Sequence, residues 1–284
     1  MIKPEQKRLF GVIGNPVKHS LSPAMMNAAF ASLEYPAVYV ALQSDDFGED
    51  LQILHRMGIG GLSVTLPFKE LAYRFAVVVD DTARMIGAVN TLRRTRQGWQ
   101  GCNTDWVGAS QALSRATSLE GKRALILGAG GAARAVAFGL INAGAALTVS
   151  NRGGGRGEAL AETFGCEFVP LARLYDVQGD FEVVVQCTSV GLDPGLRGAA
   201  TRLVPDSFFR PGMVVMDIVY RPRRTQFVQA AEEAGCTVVS GLDMLLYQGV
   251  AQLEWWLGQP VPEVPAVAAM RRALEEAMAG EQND

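Results

Sequence analysis

The run Gly128-Ala129-Gly130-Gly131-Ala132-Ala133 follows an apolar stretch, Arg123 to Leu127, that reads as a strand, and it opens a helix expected over about Ala132 to Ala143. In a strand-turn-helix of this kind the first glycine permits the tight turn, and the second lets the backbone approach a pyrophosphate. A small third residue lets helix and strand pack closely. The start of the helix then offers N–H groups and the positive end of its dipole to phosphate. Gly-Ala runs also occur in tightly packed cores, so the motif takes its meaning from the next strand. About twenty residues on, where an NAD site usually carries Asp or Glu for the ribose hydroxyls, the chain reads Ser150-Asn151-Arg152, with Arg156 one helical turn later. Two guanidiniums and no carboxylate suit a 2′-phosphate, which Arg can hold in a bidentate fork. NADP is thus expected in preference to NAD; the alternative is a pair of solvated arginines on a glycine-rich loop.

A second set of polar residues lies nearer the start: Ser20-Leu21-Ser22-Pro23, then Ser63-Val64-Thr65-Leu66-Pro67-Phe68-Lys69, then Gly87-Ala88-Val89-Asn90-Thr91, then Asn103-Thr104-Asp105. Each falls at an expected strand end or helix start, where side chains can converge on one cleft. Taken singly, each has a plainer explanation. Ser22 and Thr104 would cap helices, Asp105 would complement a helix dipole, and Lys69 would be a surface charge.

The elements that must position these residues alternate. Arg8 to Gly14 reads as a buried strand, Pro23 starts a helix through Met25, Met26 and Phe30, and Ala37 to Leu42 is a second strand. A helix from about Asp45 to Met57 and a strand from Ile59 to Leu66 come next. This order argues for a parallel α/β layer. Ala88 to Arg94 and Gly98 to Asn103 look like a short β pair, after which Thr104 would cap a helix reaching about Leu113. A boundary near Ala116 to Lys122 precedes strands at Arg123 to Leu127, Ala146 to Ser150, Glu182 to Gln186, Met213 to Val219 and Cys236 to Val239, with a helix after each of the first, second and fourth. That is a second sheet of the doubly wound, Rossmann type. Leu242 to Leu257 and Val264 to Met278 read as helices that return to the first domain and close a cleft between the two sheets. The expected fold is α/β with two domains: residues 1–106 with 243–284 around a mostly parallel sheet, and residues 107–242 as the dinucleotide domain.

Composition narrows the function further. The 284 residues are 49% hydrophobic and 19% charged, enough apolar material to order the chain. A net charge of −3 lacks the electrostatic footprint of a nucleic-acid binder. Cys102, Cys166, Cys187 and Cys236 form no C-x-x-C pair and His19 and His55 are the only histidines, so neither a zinc cage nor a disulfide framework is expected. Met1 to Phe10 carries Lys3, Glu5, Lys7 and Arg8 where a signal peptide needs apolar residues, and Arg134 and Asn142 interrupt the most apolar region. A cytoplasmic protein that binds no membrane is expected. Hydrolase and kinase motifs, G-x-S-x-G and G-x-x-x-x-G-K-[ST], are missing.

Taken together and in order, these blocks resemble the shikimate dehydrogenase family. The resemblance begins at Gly11-Val12-Ile13-Gly14-Asn15-Pro16 and His19-Ser20-Leu21-Ser22-Pro23 and runs through the blocks above. It continues in Cys187-Thr188-Ser189-Val190-Gly191, Asp217-Ile218-Val219-Tyr220-Arg221-Pro222 with Thr225, and Gly241-Leu242-Asp243-Met244-Leu245-Leu246-Tyr247-Gln248. It implies reversible, NADP-linked reduction of 3-dehydroshikimate to shikimate, on the way to aromatic amino acids, by a monomer or homodimer. Lys69 and Asp105 would form the catalytic pair, holding the proton donor that an alkoxide requires. Ser20, Ser22 and Tyr220 would bind the substrate carboxylate, and Thr65, Asn90, Asp105 and Gln248 its ring hydroxyls. Gly128, Gly130, Gly131 and Ala132 would cradle the pyrophosphate, and Asn151, Arg152 and Arg156 the adenosine end. Thr188, Ser189 and Gly191 would lie beside the nicotinamide, as would Met244, with Gly241 also on the cofactor side.

Three positions depart from the family pattern. Ser63 stands where Asn is common, which would loosen the substrate pocket because a hydroxyl is shorter than an amide and offers one donor. Gln186 stands where Asn usually precedes the Thr-Ser pair. Gly153 replaces the usual Thr or Ser after Asn-Arg, leaving Arg152 and Arg156 less help with the 2′-phosphate and relaxing the choice of cofactor. Ser63 keeps open a related dehydrogenase acting on quinate or another cyclic polyol acid. A third possibility, of another class, is a cofactor-binding sensor that lost the chemistry; retained Lys69 and Asp105 argue against it.

Overall fold

In the computed structural model, which describes residues 7–174, 181–192 and 203–280, the chain divides into two compact units. Met1–Thr104 with Gln248–Asp284 forms one and Asp105–Tyr247 the other. The sequence pattern places the boundaries at 106/107 and 242/243, within a few residues of these.

In the first unit β1 (Arg8–Gly14) is apolar along most of its length and buried on both faces, as a central parallel strand must be. It lies between β2 (Ala37–Gln43) and β3 (Gly61–Val64), parallel to both. The expected β pair, β5 (Thr91–Thr95) and β6 (Gly98–Cys102), is part of the same sheet, because β5 pairs antiparallel with β3. Two-residue β4 (Val78–Val79) adds parallel to β6, so the order is β2-β1-β3-β5-β6-β4 and only β5 opposes the common direction among the described residues. Helix α1 (Ser22–Ser32) carries Pro23 in its first turn, and α2 (Phe47–Met57) is capped by Asp46 and stopped by left-handed Gly58. Two further helices, α3 (Lys69–Phe75) and α4 (Asp81–Ile86), were not anticipated; at two turns or fewer neither displays a helical period. The third strand spans Gly61–Val64 rather than reaching from Ile59 to Leu66.

The second unit opens with α5 (Asp105–Ser114) and holds an all-parallel sheet. Its strands are β7 (Arg123–Leu127), β8 (Ala146–Asn151), β9 (Glu167–Pro170), β10 (Val183–Gln186), β11 (Val214–Asp217) and β12 (Thr237–Ser240). Their order, β12-β11-β10-β7-β8-β9, reverses between β7 and β10, the switch point of a doubly wound sheet. Alternate residues serve opposite faces: Ala124 and Ile126 join the core under α6 (Gly131–Asn142), while Leu125 and Leu127 join the core that contains Phe209 and Phe227. Helices α7 (Gly154–Phe164) and α8 (Gln226–Glu233) complete the layers.

Helix α9 (Gly241–Leu257) starts in the second unit and enters the first at Gln248. The last helix, α10 (Ala268–Gly280), packs on α1 and starts later than Val264, because Pro265 forces Val264 into an extended conformation (φ −118°, ψ 125°). Among the described residues no helix is long and apolar enough to cross a membrane, and no cluster of His, Cys, Asp or Glu could hold a metal ion.

Candidate active site

The antiparallel insertion of β5 brings one group of candidates together. Ser63, near the end of β3, stands opposite Thr91 at the start of β5, and Thr91 stands opposite Cys102 at the end of β6. Thr65, Asn90, Asn103 and Thr104 therefore emerge from one edge of the sheet. Asn90 is 1% exposed. Its Oδ1 accepts from Thr104 N at 2.8 Å and from the Thr91 hydroxyl at 2.7 Å. Its Nδ2 donates to Thr104 Oγ1 at 3.0 Å and to Gln248 Oε1, on α9, at 3.3 Å. Half-buried Lys69 opens α3, and its carbonyl accepts from Val89 N, the residue before Asn90, at 2.9 Å. Asp105, 4% exposed, follows Thr104 in the chain and opens α5 as the first residue of the second unit. The Val89–Asn90 segment thus ties the start of α3 to Thr104 within the first unit.

Ser22 does not cap α1. The N-cap is Leu21, without a side-chain bond, and Ser22 is a buried first residue whose N–H donates to Ser20 Oγ at 3.3 Å. Half-buried Thr65 follows β3, its N–H on the Ile13 carbonyl at 3.0 Å, with its methyl against Gly14 where no Cβ would fit.

Behind this group lie Ser63 and Thr91 and two residues that sequence reasoning missed, Tyr39 and Gln252. The Tyr39 hydroxyl donates to Ser63 Oγ at 2.5 Å, and Ser63 donates to Gln252 Oε1 at 2.8 Å. Gln252 Nε2 donates to Thr91 Oγ1 at 2.9 Å, and Thr91 in turn donates to Asn90. The Ser63 hydroxyl is thus held between Tyr39 and Gln252, and the Gln252 carboxamide links it to Thr91. One signal was available: Gln252 lies four residues after Gln248, on the same face of a helix.

In the second unit the carboxyl ends of five strands line up in register: Ser150, Leu127, Gln186, Asp217 and Ser240. Ligands of open α/β sheets bind outside this edge. Gly128 has φ +117°, and a Cβ there would stand 3.0 Å from the Thr188 methyl and 3.1 Å from the Cys187 carbonyl, so both conformation and space require glycine. Gly130 is the N-cap of α6 without a side-chain bond, leaving the first-turn N–H groups of Gly131 and Ala132 to an outside acceptor. Beside this turn the Ser150 hydroxyl is buried with no partner among the described residues. Asn151 Nδ2 closes the next turn on the Gly153 carbonyl at 2.8 Å. Gly153 caps α7 with no side-chain bond, and Arg152 and Arg156 are exposed around that helix start. A cradle of unsatisfied amides, a space only glycine leaves open and two guanidiniums fit a nicotinamide dinucleotide.

The turn Thr188–Gly191 follows β10; Thr188 Oγ1 accepts from Val190 N at 3.1 Å, Gly191 has φ +93°, and Ser189 is exposed. Half-buried Tyr220 follows β11, in the second unit rather than with Asn90 and Gln248. Gly241 has a packing requirement of its own, since a Cβ would lie 2.6 Å from the Asp217 carbonyl, and Met244 is 6% exposed inside the apolar core.

Burial pushes the Asp217 carboxyl up to about 7, although the Thr225 hydroxyl and Val219 N–H favour its ionised form. A group whose pKa is raised on folding contributes stability at low pH that is lost as pH rises through the folded value. Between about pH 4 and 7 the native state should therefore lose up to ~4 kcal/mol, at about 1.4 kcal/mol per unit. Asp217→Asn, which cannot ionise, should melt higher than the natural protein at pH 8, with the gap closing toward pH 4. A gap that is constant with pH in thermal melts would refute this assignment.

Three family descriptions match the chain: the shikimate dehydrogenase substrate binding domain over residues 12–92, shikimate / quinate 5-dehydrogenase over 110–227, and the shikimate 5′-dehydrogenase C-terminal domain over 241–275. Shikimate dehydrogenase (NADP(+)) of Syntrophobacter fumaroxidans is 62% identical, covering 100% of this chain and 99% of its own. The chain belongs to the shikimate dehydrogenase family. Among solved structures, shikimate 5-dehydrogenase of Thermus thermophilus in complex with NADP(H) and shikimate superposes with a TM-score of 0.83 at 37% identity, covering 95% of this chain and 99% of that one. Quinate dehydrogenase of Corynebacterium glutamicum in complex with NAD gives 0.82 at 27% identity, covering 95% and 99%. As a member of the shikimate dehydrogenase family the protein is a nicotinamide-dinucleotide oxidoreductase acting on shikimate-type substrates.

Proposed function

We propose that this chain catalyses the reversible, NADP-linked reduction of 3-dehydroshikimate to shikimate. The observation that carries this reading is the buried Asn90–Thr104–Gln248 cluster, neutral donors and acceptors braced from behind by Thr91 and Gln252. Such a cluster suits a polyhydroxylated ring, since a site built to hydrogen-bond hydroxyls rejects analogues lacking them. The 62% identity to an NADP(+)-dependent shikimate dehydrogenase supports it.

When bound, the nicotinamide supplies or accepts the hydride. Lys69 Nζ delivers a proton to the carbonyl oxygen during reduction and removes it during oxidation, and the Asp105 carboxylate accepts from a substrate hydroxyl. Ser20 and Ser22 bind the substrate carboxylate. Thr65, Asn90 and Gln248 sort the ring hydroxyls. Gly128, Gly130, Gly131 and Ala132 hold the pyrophosphate, and Arg152 and Arg156 the 2′-phosphate. The quinate reading rested on Ser63, and its support weakens because Tyr39 and Gln252 occupy that hydroxyl.

Mixing purified protein with shikimate and NADP should produce reduced-nicotinamide absorbance faster than quinate or NAD does. Faster oxidation of quinate, or a preference for NAD, would reverse the assignment; NADPH binding without turnover on any cyclic hydroxy acid would favour a sensor.

A further inference from the structure

The Thr188–Gly191 turn is held from outside itself. Gln186, the last residue of β10 and fully buried, folds its carboxamide over the turn. Its Oε1 accepts from Thr188 N, and its Nε2 donates to the Val190 carbonyl at 2.9 Å. The two ends of an amide are not interchangeable, so this pairing sets which way the carboxamide faces. The same Nε2 donates at 3.1 Å to Oδ1 of Asp217, the register partner of Gln186 on β11. Asp217, 1% exposed, also accepts from Val219 N at 2.9 Å on Oδ1 and from the Thr225 hydroxyl at 2.6 Å on Oδ2. Thr225 caps α8, accepting from Val228 N at 3.1 Å, and its methyl lies 3.1 Å from where a Cβ on Gly191 would stand.

We propose that Asp217, acting through Gln186 and Thr225, is the positioning residue that sets the Thr188–Gly191 turn and with it the nicotinamide side of the dinucleotide pocket. The proposal rests on the functional reading in which this turn borders the nicotinamide. A buried carboxyl is expensive to keep, and here donors reach it from three places: the end of β10, the loop after β11 and the start of α8. A buried polar cluster satisfied in this way stiffens the segments that it joins. The turn also stands directly over Gly128, whose absent Cβ would meet Thr188 and the Cys187 carbonyl. One cluster therefore sets both the wall beside the nicotinamide and the clearance above the pyrophosphate turn.

The test compares Asp217→Ala, Asp217→Asn, Gln186→Met and Thr225→Val by amide hydrogen exchange of the cofactor-free full chain and by fluorescence titration with NADPH. Asp217→Ala and Gln186→Met should exchange the Thr188 and Val190 amides about tenfold faster or more and bind NADPH about tenfold more weakly, the scale of two lost hydrogen bonds. Shikimate affinity should stay within about twofold. Asn at 217 can still accept from Gln186 and Val219 and donate to Thr225, so Asp217→Asn should restore protection and NADPH affinity to within about threefold. Thr225→Val should give a smaller change of the same sign and carries the comparison, with Gln186→Met, if Asp217→Ala does not fold. Unchanged exchange at the turn, or protection lost evenly across the whole unit, would overturn the positioning role. Faster exchange with unchanged NADPH affinity would overturn the proposal at its other joint, showing that the turn does not border the cofactor.

Discussion

Replacing Lys69 with alanine should lower shikimate turnover about a hundredfold or more while leaving NADPH affinity nearly unchanged. The magnitude is the usual one for losing a positioned acid or base, and a hundredfold corresponds to ~2.7 kcal/mol of transition-state stabilisation. The fold gives reason to expect that the loss is chemical. The Lys69 backbone carbonyl accepts from Val89 N, a bond that survives the substitution. Lys69 opens α3, where alanine is a better helix former than lysine and the helix dipole disfavours a cation. Turnover would be read at saturating NADPH and shikimate, with cofactor affinity from fluorescence titration. A parallel loss of NADPH binding, or a collapse of the melting temperature, would make Lys69 a structural residue.

Arg152→Ala should weaken NADPH binding between about tenfold and a hundredfold and change NADH binding by no more than about twofold. Charge-assisted hydrogen bonds to a phosphate contribute about 1.5–3 kcal/mol when well formed, and NADH has no 2′-phosphate to receive them. The turn that carries Arg152 should survive, because it is closed by Asn151 Nδ2 on the Gly153 carbonyl and not by the guanidinium. Exposure of Arg152 and Arg156 predicts that NADPH affinity in the natural protein falls with added salt and that the dependence flattens in the variant. Equal weakening of both cofactors would remove the argument for NADP, leaving Arg152 as part of a general anion surface.

Much of the nucleotide side was legible in the chain. The turn after β7 depends on local requirements: φ +117° at Gly128, small residues at the start of α6, and an apolar strand leading in. Each is imposed within a few residues of where it is read, and the alternation of strands and helices in the second unit needs little more than hydrophobic period and helix stops. Even there β9 went unforeseen, four residues being too few to show alternation.

The substrate side followed other rules. The antiparallel placement of β5, which brings Asn90 and Thr104 to one edge of the sheet, is a choice between pairings of similar local propensity. Ser63 and Gln252 are 189 positions apart, and nothing near either one announces the other. Ser22 had every local mark of a helix cap and is not one. Nor did the Asp217 side chain show in the chain that burial would raise its pKa or that donors from three segments would meet on it. Backbone conformation at glycines and the spacing of apolar residues are local quantities, so they can be read from order along the chain. Burial and partnership of a polar side chain arise only when distant segments exclude water from the same volume, and they wait on the packed fold.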